Sequence, residues 1–331
     1  MAKRKPYRFV LYLLVRAGGW LVFILPREWA LFLAARGARL GYWLVGRQRR
    51  KTLKNLQRAY GSQKTQAELE SLAKQVFENF ALTGVELLQF RKLDFEKVSA
   101  FVDFGDAFKV YDSLLAEGKG LISVTAHLGN WELLAAVFGL KGYRGSVLAR
   151  RIYYEPYNRW IVGLRAALNV PTTYRDDSSR EILKRLANGE IVGLLPDQDI
   201  DSLKGVFVDF FGRPAYTPVA PVRLALATGA PLQPNFMIRI GRDRYKLVLG
   251  KTIRPQAGTG RDEAIRKYTQ EWMAQFEEVI RAYPEQWAWM HNRWKTQPPV
   301  AVSFPHDFTA KQPFRGRESP GALIPDKNIR G

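Results

Sequence analysis

The sequence contains no cysteine and only three histidines in 331 residues. The first absence excludes a disulfide framework, a thiolate zinc site and a cysteine nucleophile, and it suits a reducing compartment or a bacterial envelope. With so few imidazoles as well, the soft ligands of a transition-metal centre are scarce, and neither metal nor cofactor is expected. Four signatures are also missing: the G-x-S-x-G nucleophile elbow, the GxxxxGK[ST] phosphate loop, H-E-x-x-H and G-x-G-x-x-G. Their absence removes the commonest serine-hydrolase, nucleotide-hydrolase, zinc-protease and dinucleotide readings. Acid is scarce at one end. Residues 1–60 hold fourteen Lys and Arg against a single Glu28, so about +13 of the net +20 sits there. The remaining 271 residues carry 37 basic and 30 acidic groups, an ordinary surface with a mild bias.

What the N-terminus does have is apolar. Phe9 to Leu25 is a 17-residue run broken by Arg16 and Gly18-Gly19 and preceded by Lys3, Arg4, Lys5 and Arg8. As a membrane span it is marginal, because about 20 residues are needed and an arginine near the bilayer centre is costly. Pro26-Arg27-Glu28-Trp29 stands where a signal peptide would need small residues, so a retained anchor is the expectation, ahead of a cleaved signal or a buried core helix. From Trp29 to Val45 apolar groups return at helical spacing among arginines, which suits an interfacial helix on anionic headgroups. A solvated basic helix has the same pattern. A nucleic-acid arm would share the charge but leave the apolar run without a purpose, so no nucleic acid is expected as a partner.

Beyond it, Gln66 to Gln89 carries Leu69, Leu72, Val76, Phe80, Val85 and Leu88 on helical periods. From Gly120 short apolar runs (121–126, 146–149, 170–174, 191–195) alternate with helical stretches (132–138, 156–168, 178–187), the rhythm of βαβ units. Strands over 206–211, 232–240 and 245–249 and a last helix over 264–282 follow. The expected class is α/β: a mostly parallel central sheet flanked by helices, with an N-terminal membrane-associated helical segment. Three regions are expected: an anchor and basic helix at 1–50, a catalytic domain at 51–296, and a proline-rich, disordered tail at 297–331.

Within SVTAHLGNWELL, residues 123–134, His127 lies just past the C-terminal end of an expected strand, where open α/β sheets place ligands. Gly129 allows a turn and Asn130 is a good helix N-cap, which puts Glu132 in the first helical turn. On a continuous helix, five residues separate two side chains by about 140°, so only such a turn lets His127 and Glu132 meet. If they meet, the carboxylate fixes the imidazole tautomer and the other ring nitrogen takes a proton from a hydroxyl. A capping glutamate beside a packed histidine has the same sequence. With other chemistries removed, what remains is attack by a His-activated substrate hydroxyl on an activated carbonyl.

VTAHLGNWELL (124–134), GLLPDQD (193–199), GVFVDFFGRPAYTP (205–218), LALATGAPLQPNF (224–236) and YPEQWAWMHNRWK (283–295) together closely resemble the bacterial lipid A biosynthesis acyltransferases, the late lauroyl/myristoyl family. The likeness extends from about residue 5 to 295. It implies a membrane-bound enzyme moving a fatty acyl chain from acyl carrier protein to a hydroxyl of a glycolipid precursor, on the cytoplasmic side of the inner membrane. By motif position it implies His127 as base and Glu132 as its partner. Arg150, Arg151, Asp197 and Asn130 then become substrate-binding candidates, with Arg150 suited to an oxyanion or a phosphate. Phe207, Phe210 and Phe211 are candidates to wall an acyl groove, and His291, between tryptophans, reads as packing. His306 gets no role. Glu155-Pro156 replaces the Asn-Pro of many relatives, which bears on the acceptor headgroup. A sibling acylating another glycolipid or phosphoglycolipid, and a non-enzymatic membrane- or nucleic-acid-binding protein, are the alternatives.

Overall fold

The computed structural model describes residues 6–175, 179–256, 258 and 260–299. Four helices come first: α1 (Pro6–Ile24), α2 (Arg27–Leu44), α3 (Gly46–Tyr60) and α4 (Gln66–Gln89). α4 starts where a capping box satisfies its first amides, Thr65 accepting from the Glu68 N–H while the Glu68 carboxylate reaches back to the Thr65 N–H. Short α5 (Phe95–Ser99), β1 (Val102–Asp103) and α6 (Ala107–Leu115) lead into the main alternation. This comprises β2 (Leu121–Val124), α7 (Trp131–Lys141), β3 (Gly145–Ala149), α8 (Glu155–Ala166), β4 (Thr172–Tyr174), α9 (Ser179–Ala187) and β5 (Ile191–Leu194). An antiparallel hairpin, β6 (Gly205–Phe210) and β7 (Arg213–Pro218), precedes α10 (Ala220–Thr228), β8 (Leu232–Gly241), β9 (Arg244–Leu249) and α11 (Arg261–Ala282).

The seven-stranded sheet has the order β1-β9-β8-β2-β5-β3-β4. β8, β2, β5, β3 and β4 run parallel, while β9 is antiparallel to β8 and carries β1 with it. The expected α/β class with a mostly parallel sheet is therefore the one found. β2 lies between β8 and β5 with all four residues buried, as a strand covered on both faces must be. On one face Ile122 and Val124 belong to an apolar cluster with side chains of α3, α4, α9, α10 and α11, including Leu56, Val76, Leu186, Val222 and Trp272. On the other, Leu121 belongs to a second cluster with Tyr111 and Leu114 of α6 and the apolar side of α7. Parallel strands sandwiched this way bring the C-terminal ends of β2, β5, β3 and β4 to one edge, which becomes the rim of the site.

α1 is long and apolar enough to cross a membrane. α1 to α3 belong to the same compact unit as the sheet, which ends at Gln297, and the boundary expected at residue 50 falls inside α3. Apart from residues 297–299, the expected tail and His306 lie outside the described residues.

Candidate active site

His127 occupies the turn after β2, and three main-chain bonds fasten that turn. The His127 carbonyl accepts from Ala288 N at 2.9 Å, Gly129 N donates to Gln286 O at 3.1 Å, and Asn130 N donates to Met237 O at 2.9 Å. Gly129 has φ +62°, and a Cβ there would lie 2.0 Å from the Met237 carbonyl oxygen, so the position tolerates only glycine. Thr83 Oγ1, from α4, donates to Gly129 O at 3.1 Å. The closing segment 283–295 thus holds the histidine turn in place from the far end of the chain.

The imidazole is held by Asp197, just past β5, the strand beside β2. His127 Nδ1 lies 2.7 Å from Asp197 Oδ1, and His127 N donates to Oδ2 at 2.9 Å. Trp287 Nε1 also donates to Oδ2, at 2.9 Å. Asp197 is 2% exposed and its partner 22%. Burial alone would raise this carboxyl, but the charge and hydrogen bonds of His127 and the Trp287 indole outweigh it and hold Asp197 well below the usual carboxylate range. Facing an ionised Asp197, the neutral form of the imidazole carries its proton on Nδ1 and keeps the Nε2 lone pair, the tautomer a general base requires.

Glu132 does not make this bond. Both of its oxygens are taken by Arg165 of α8, whose Nε lies 2.8 Å from Oε2 and Nη2 2.5 Å from Oε1. Once α7 begins at Trp131, Glu132 points from its first turn toward α8, and a planar guanidinium saturates it in a two-pronged pair. The expected His127–Glu132 pairing is corrected accordingly: the imidazole partner comes from the neighbouring strand. Asn130, a substrate-binding candidate, is engaged within the fold. It is fully buried, caps α7 by accepting from Leu133 N at 2.9 Å, and donates to Glu86 Oε2 at 2.7 Å. Phe210 and Phe211 are core residues among Trp287, Trp289, Trp294 and Tyr60, not groove walls, and Phe207 packs on Tyr216 within the hairpin.

Arg150 follows β3 on the same rim and is exposed. β5 separates β3 from β2, so Arg150 starts two strand spacings, about 10 Å, from the histidine strand. Arg151 lies 3.9 Å over the Tyr174 ring at the end of β4. Sequence reasoning missed the second imidazole. His291 is 5.4 Å from His127 between ring centroids, and the Gln198 side-chain nitrogen bridges them, 3.1 Å from His291 Nε2 and 3.2 and 3.3 Å from the two His127 nitrogens. Nearly equal distances to both ring nitrogens place that amide off either lone-pair axis of His127. Burial, and then the nearby His127, push His291 down to about 4 from 6.5, so it is neutral and accepts from Gln198. The tryptophans around it gave the packing signal that hid this role.

A pocket of about 60 Å³ lies behind Trp131, next to the imidazole. Its lining comes from three adjacent strands, with Ser123 and Thr125 at β2, Ile191, Gly193 and Leu195 at β5 and Gly145 to Val147 at β3, under the Leu134, Ala135, Phe138 and Gly139 side of α7. At the rim stands Trp131, whose ring centroid is 5.2 Å from that of His127. From Leu195 to Ile191 the cavity follows β5 for about 13 Å at 3.3 Å per residue. Thr125 Oγ1 is buried there without a hydrogen-bond partner. A mainly apolar space beside an imidazole is a shape that a hydrocarbon chain fits.

Among the described residues, no group of three His, Asp or Glu side chains is arranged to hold a metal ion. The chain is similar to a phosphatidylinositol mannoside acyltransferase of Mycolicibacterium smegmatis, 27% identical over 285 residues, 84% of this chain and 90% of that protein. It is similar to the lipid A biosynthesis lauroyltransferase of Escherichia coli K12, 27% identical over 287 residues, 84% of this chain and 89% of the other. With a phosphatidylinositol mannoside acyltransferase of Mycobacterium tuberculosis it is 28% identical over 187 residues, and there it spans just over half, 57%, of the relative's length. The family model described as bacterial lipid A biosynthesis acyltransferase matches residues 2–296, and the chain belongs to that acyltransferase family.

Proposed function

We propose that this acyltransferase is a membrane-bound enzyme that moves a fatty acyl chain from an acyl carrier protein thioester to a hydroxyl of a lipid A precursor. The reading rests on the His127–Asp197 pair, which leaves one imidazole nitrogen uncommitted beside Trp131, a wall of the apolar pocket. His127 Nε2 takes the acceptor hydroxyl proton as the oxygen attacks the thioester carbon. The tetrahedral oxyanion collapses, the carbon–sulfur bond breaks, and the departing thiolate takes the proton back from the imidazolium. Glu132, locked to Arg165, acts as a positioning residue that ties α7 to α8 beside the base. Arg150 and Arg151, on the rim, meet the oxyanion or the acceptor phosphate.

The excess of cations in residues 1–60 supports an anionic bilayer as the working surface, and an acidic carrier protein is steered by the same field. The site of action is the cytoplasmic side of the inner membrane. Likeness to enzymes named for phosphatidylinositol mannoside favours a second reading, in which the acceptor is a phosphoglycolipid with the same chemistry. Membranes bearing the wild type or His127→Ala, given acyl carrier protein thioesters and either acceptor, separate the readings. Product that depends on His127 with one acceptor is expected. If no pair of donor and acceptor yields His127-dependent product, the proposal fails.

A further inference from the structure

We infer that α1 does not cross the bilayer but lies along its surface, clamped to the catalytic domain, with the rim arginines at headgroup level. The inference rests on the membrane reading above and adds its geometry. Residues 8, 12, 16, 19 and 23 form one stripe of a helix, and every one of them touches the domain. Arg8 stacks on Tyr153 at 5.1 Å, and Tyr12 meets Tyr157 edge-on at 5.3 Å. Arg16 stacks on Trp160 at 5.0 Å, and Phe23 meets Lys92 at 4.9 Å. At Gly19 the approach is so close that an added Cβ would lie 3.0 Å from the Trp160 ring. Gln89 of α4 finishes the clamp, donating to the Val22 and Leu25 carbonyls at 2.8 and 3.0 Å.

From position 8 to 23 the helix runs about 22 Å at 1.5 Å per residue, attached throughout. A spanning α1 would have to take α8 with it. That helix carries Glu155 and Arg159, whose side chains are 52% and 74% exposed, and hydrocarbon would strip their water. In the plane of the surface the same helix has no such conflict. Arg16 stays on Trp160 at the interface, while Val10, Leu14 and Leu21, all more than half exposed, face the acyl chains. α2 continues the surface with Trp29, Leu33, Leu40 and Leu44 exposed along one side and arginines beside them. The Arg8 contact sets the depth of the rim. Tyr153, 77% exposed, lies three residues from Arg150, so the loop that follows β3 enters the headgroup layer together with α1. A lipid acceptor then meets the site without its chains leaving the bilayer.

The absence of cysteine makes a clean test possible. Single cysteines at positions 9 to 24 of the full-length protein, one per variant, are nitroxide-labelled and bound to vesicles of phosphatidylethanolamine and phosphatidylglycerol. Depth is read from collision with oxygen and with a nickel chelate. The expected result is a shallow depth that oscillates with the helical period, deepest at 10, 14 and 21, with 12 and 23 shielded from both reagents. One central maximum near residue 16, with water at both ends, overturns the in-plane geometry and leaves the membrane reading standing. Failure of the full-length protein to bind vesicles removes both. Ile152→Ala with Tyr153→Ala is expected to lower vesicle partitioning several-fold, and unchanged partitioning overturns the placement of the rim loop.

Discussion

Two buried carboxylates lie close behind the histidine turn, and their surroundings differ in one respect. Glu86 of α4, with no exposed surface, receives Arg27, Arg239, Asn130 and the Tyr245 hydroxyl, drawn from α2, β8, the α7 cap and β9. Asp197 receives the His127 main chain, the His127 ring and the Trp287 indole. Each is fully hydrogen-bonded, as a buried ion must be. The difference lies in the donors. Those around Glu86 are arginines, an amide and a phenol, none of which keeps a basic atom, whereas the imidazole on Asp197 has a second nitrogen. Glu86 is saturated by its donors, whereas the pair at Asp197 leaves one imidazole nitrogen uncommitted, the feature on which the proposed mechanism depends.

Asp197→Asn is the strongest way to break this contrast. The amide no longer dictates Nδ1 protonation, so kcat is expected to fall by about 10²- to 10⁴-fold, the range of a lost general base, with the circular dichroism spectrum unchanged. A wild-type kcat would end the assignment of His127 as base. Glu132→Gln sharpens it through coupling: its effect on kcat is expected to be non-additive with Arg165→Met and additive with Asp197→Asn. The reverse pattern would restore the pairing that the sequence suggests.

At Glu86 the expected loss is of stability. Glu86→Ala leaves Arg27 and Arg239 facing each other without their shared anion, and denaturant unfolding should show about 3–5 kcal/mol lost, the usual cost of breaking a buried pair. A loss under about 1 kcal/mol would mean that water or Asp243 replaces the carboxylate.

His291 gives a smaller, pH-dependent effect. Its folded value near 4 lies below the unfolded 6.5, so between these the unfolded chain binds more protons and stability falls as pH drops from 6.5 to 4. At most about 3 kcal/mol rides on this shift. His291→Gln is expected to flatten that part of the stability profile, leaving the decline below the ordinary aspartate range that Asp197 contributes. An unchanged slope between pH 4 and 6.5 would show that the wild-type imidazole is not held neutral by its burial.

How much of this the sequence discloses depends on the range of the interaction. α4 is legible from Gln66 to Gln89 because its capping box and apolar stripe are local, and the parallel strands are legible from their short apolar runs. β1, with two residues, and β7, which starts at Arg213-Pro214 and ends at Pro218, carry too little local pattern to be read. His127 is legible from its place after a strand. Its partner is not, because β5 reaches β2's side only through the sheet order, and the five-residue spacing draws attention to Glu132 instead. The same holds for Arg165 and His291, whose contacts are set by helix packing and by the closing segment.

The cavity offers the gentlest test, because its openness is made by a missing side chain as the base is made by an unused nitrogen. Gly139 and Gly145 line it too, but a Cβ at either would lie 2.1 or 2.5 Å from a main-chain oxygen, so substitution there disturbs the fold. Gly193 differs: its backbone is ordinary strand, and the atom nearest an added Cβ is Val147 Cγ1, at 3.4 Å. Gly193→Ala therefore narrows the cavity with little strain, midway along the lining strand β5. If the acyl chain lies there, the variant should favour shorter donors over the wild-type length by about tenfold in kcat/KM, the scale of one methyl group in an apolar pocket. Donors too short to pass Gly193 should react at the wild-type rate. Uniform slowing at every length would place the acyl chain elsewhere, and leave the His127–Asp197 pair to be judged by the Asp197→Asn result alone.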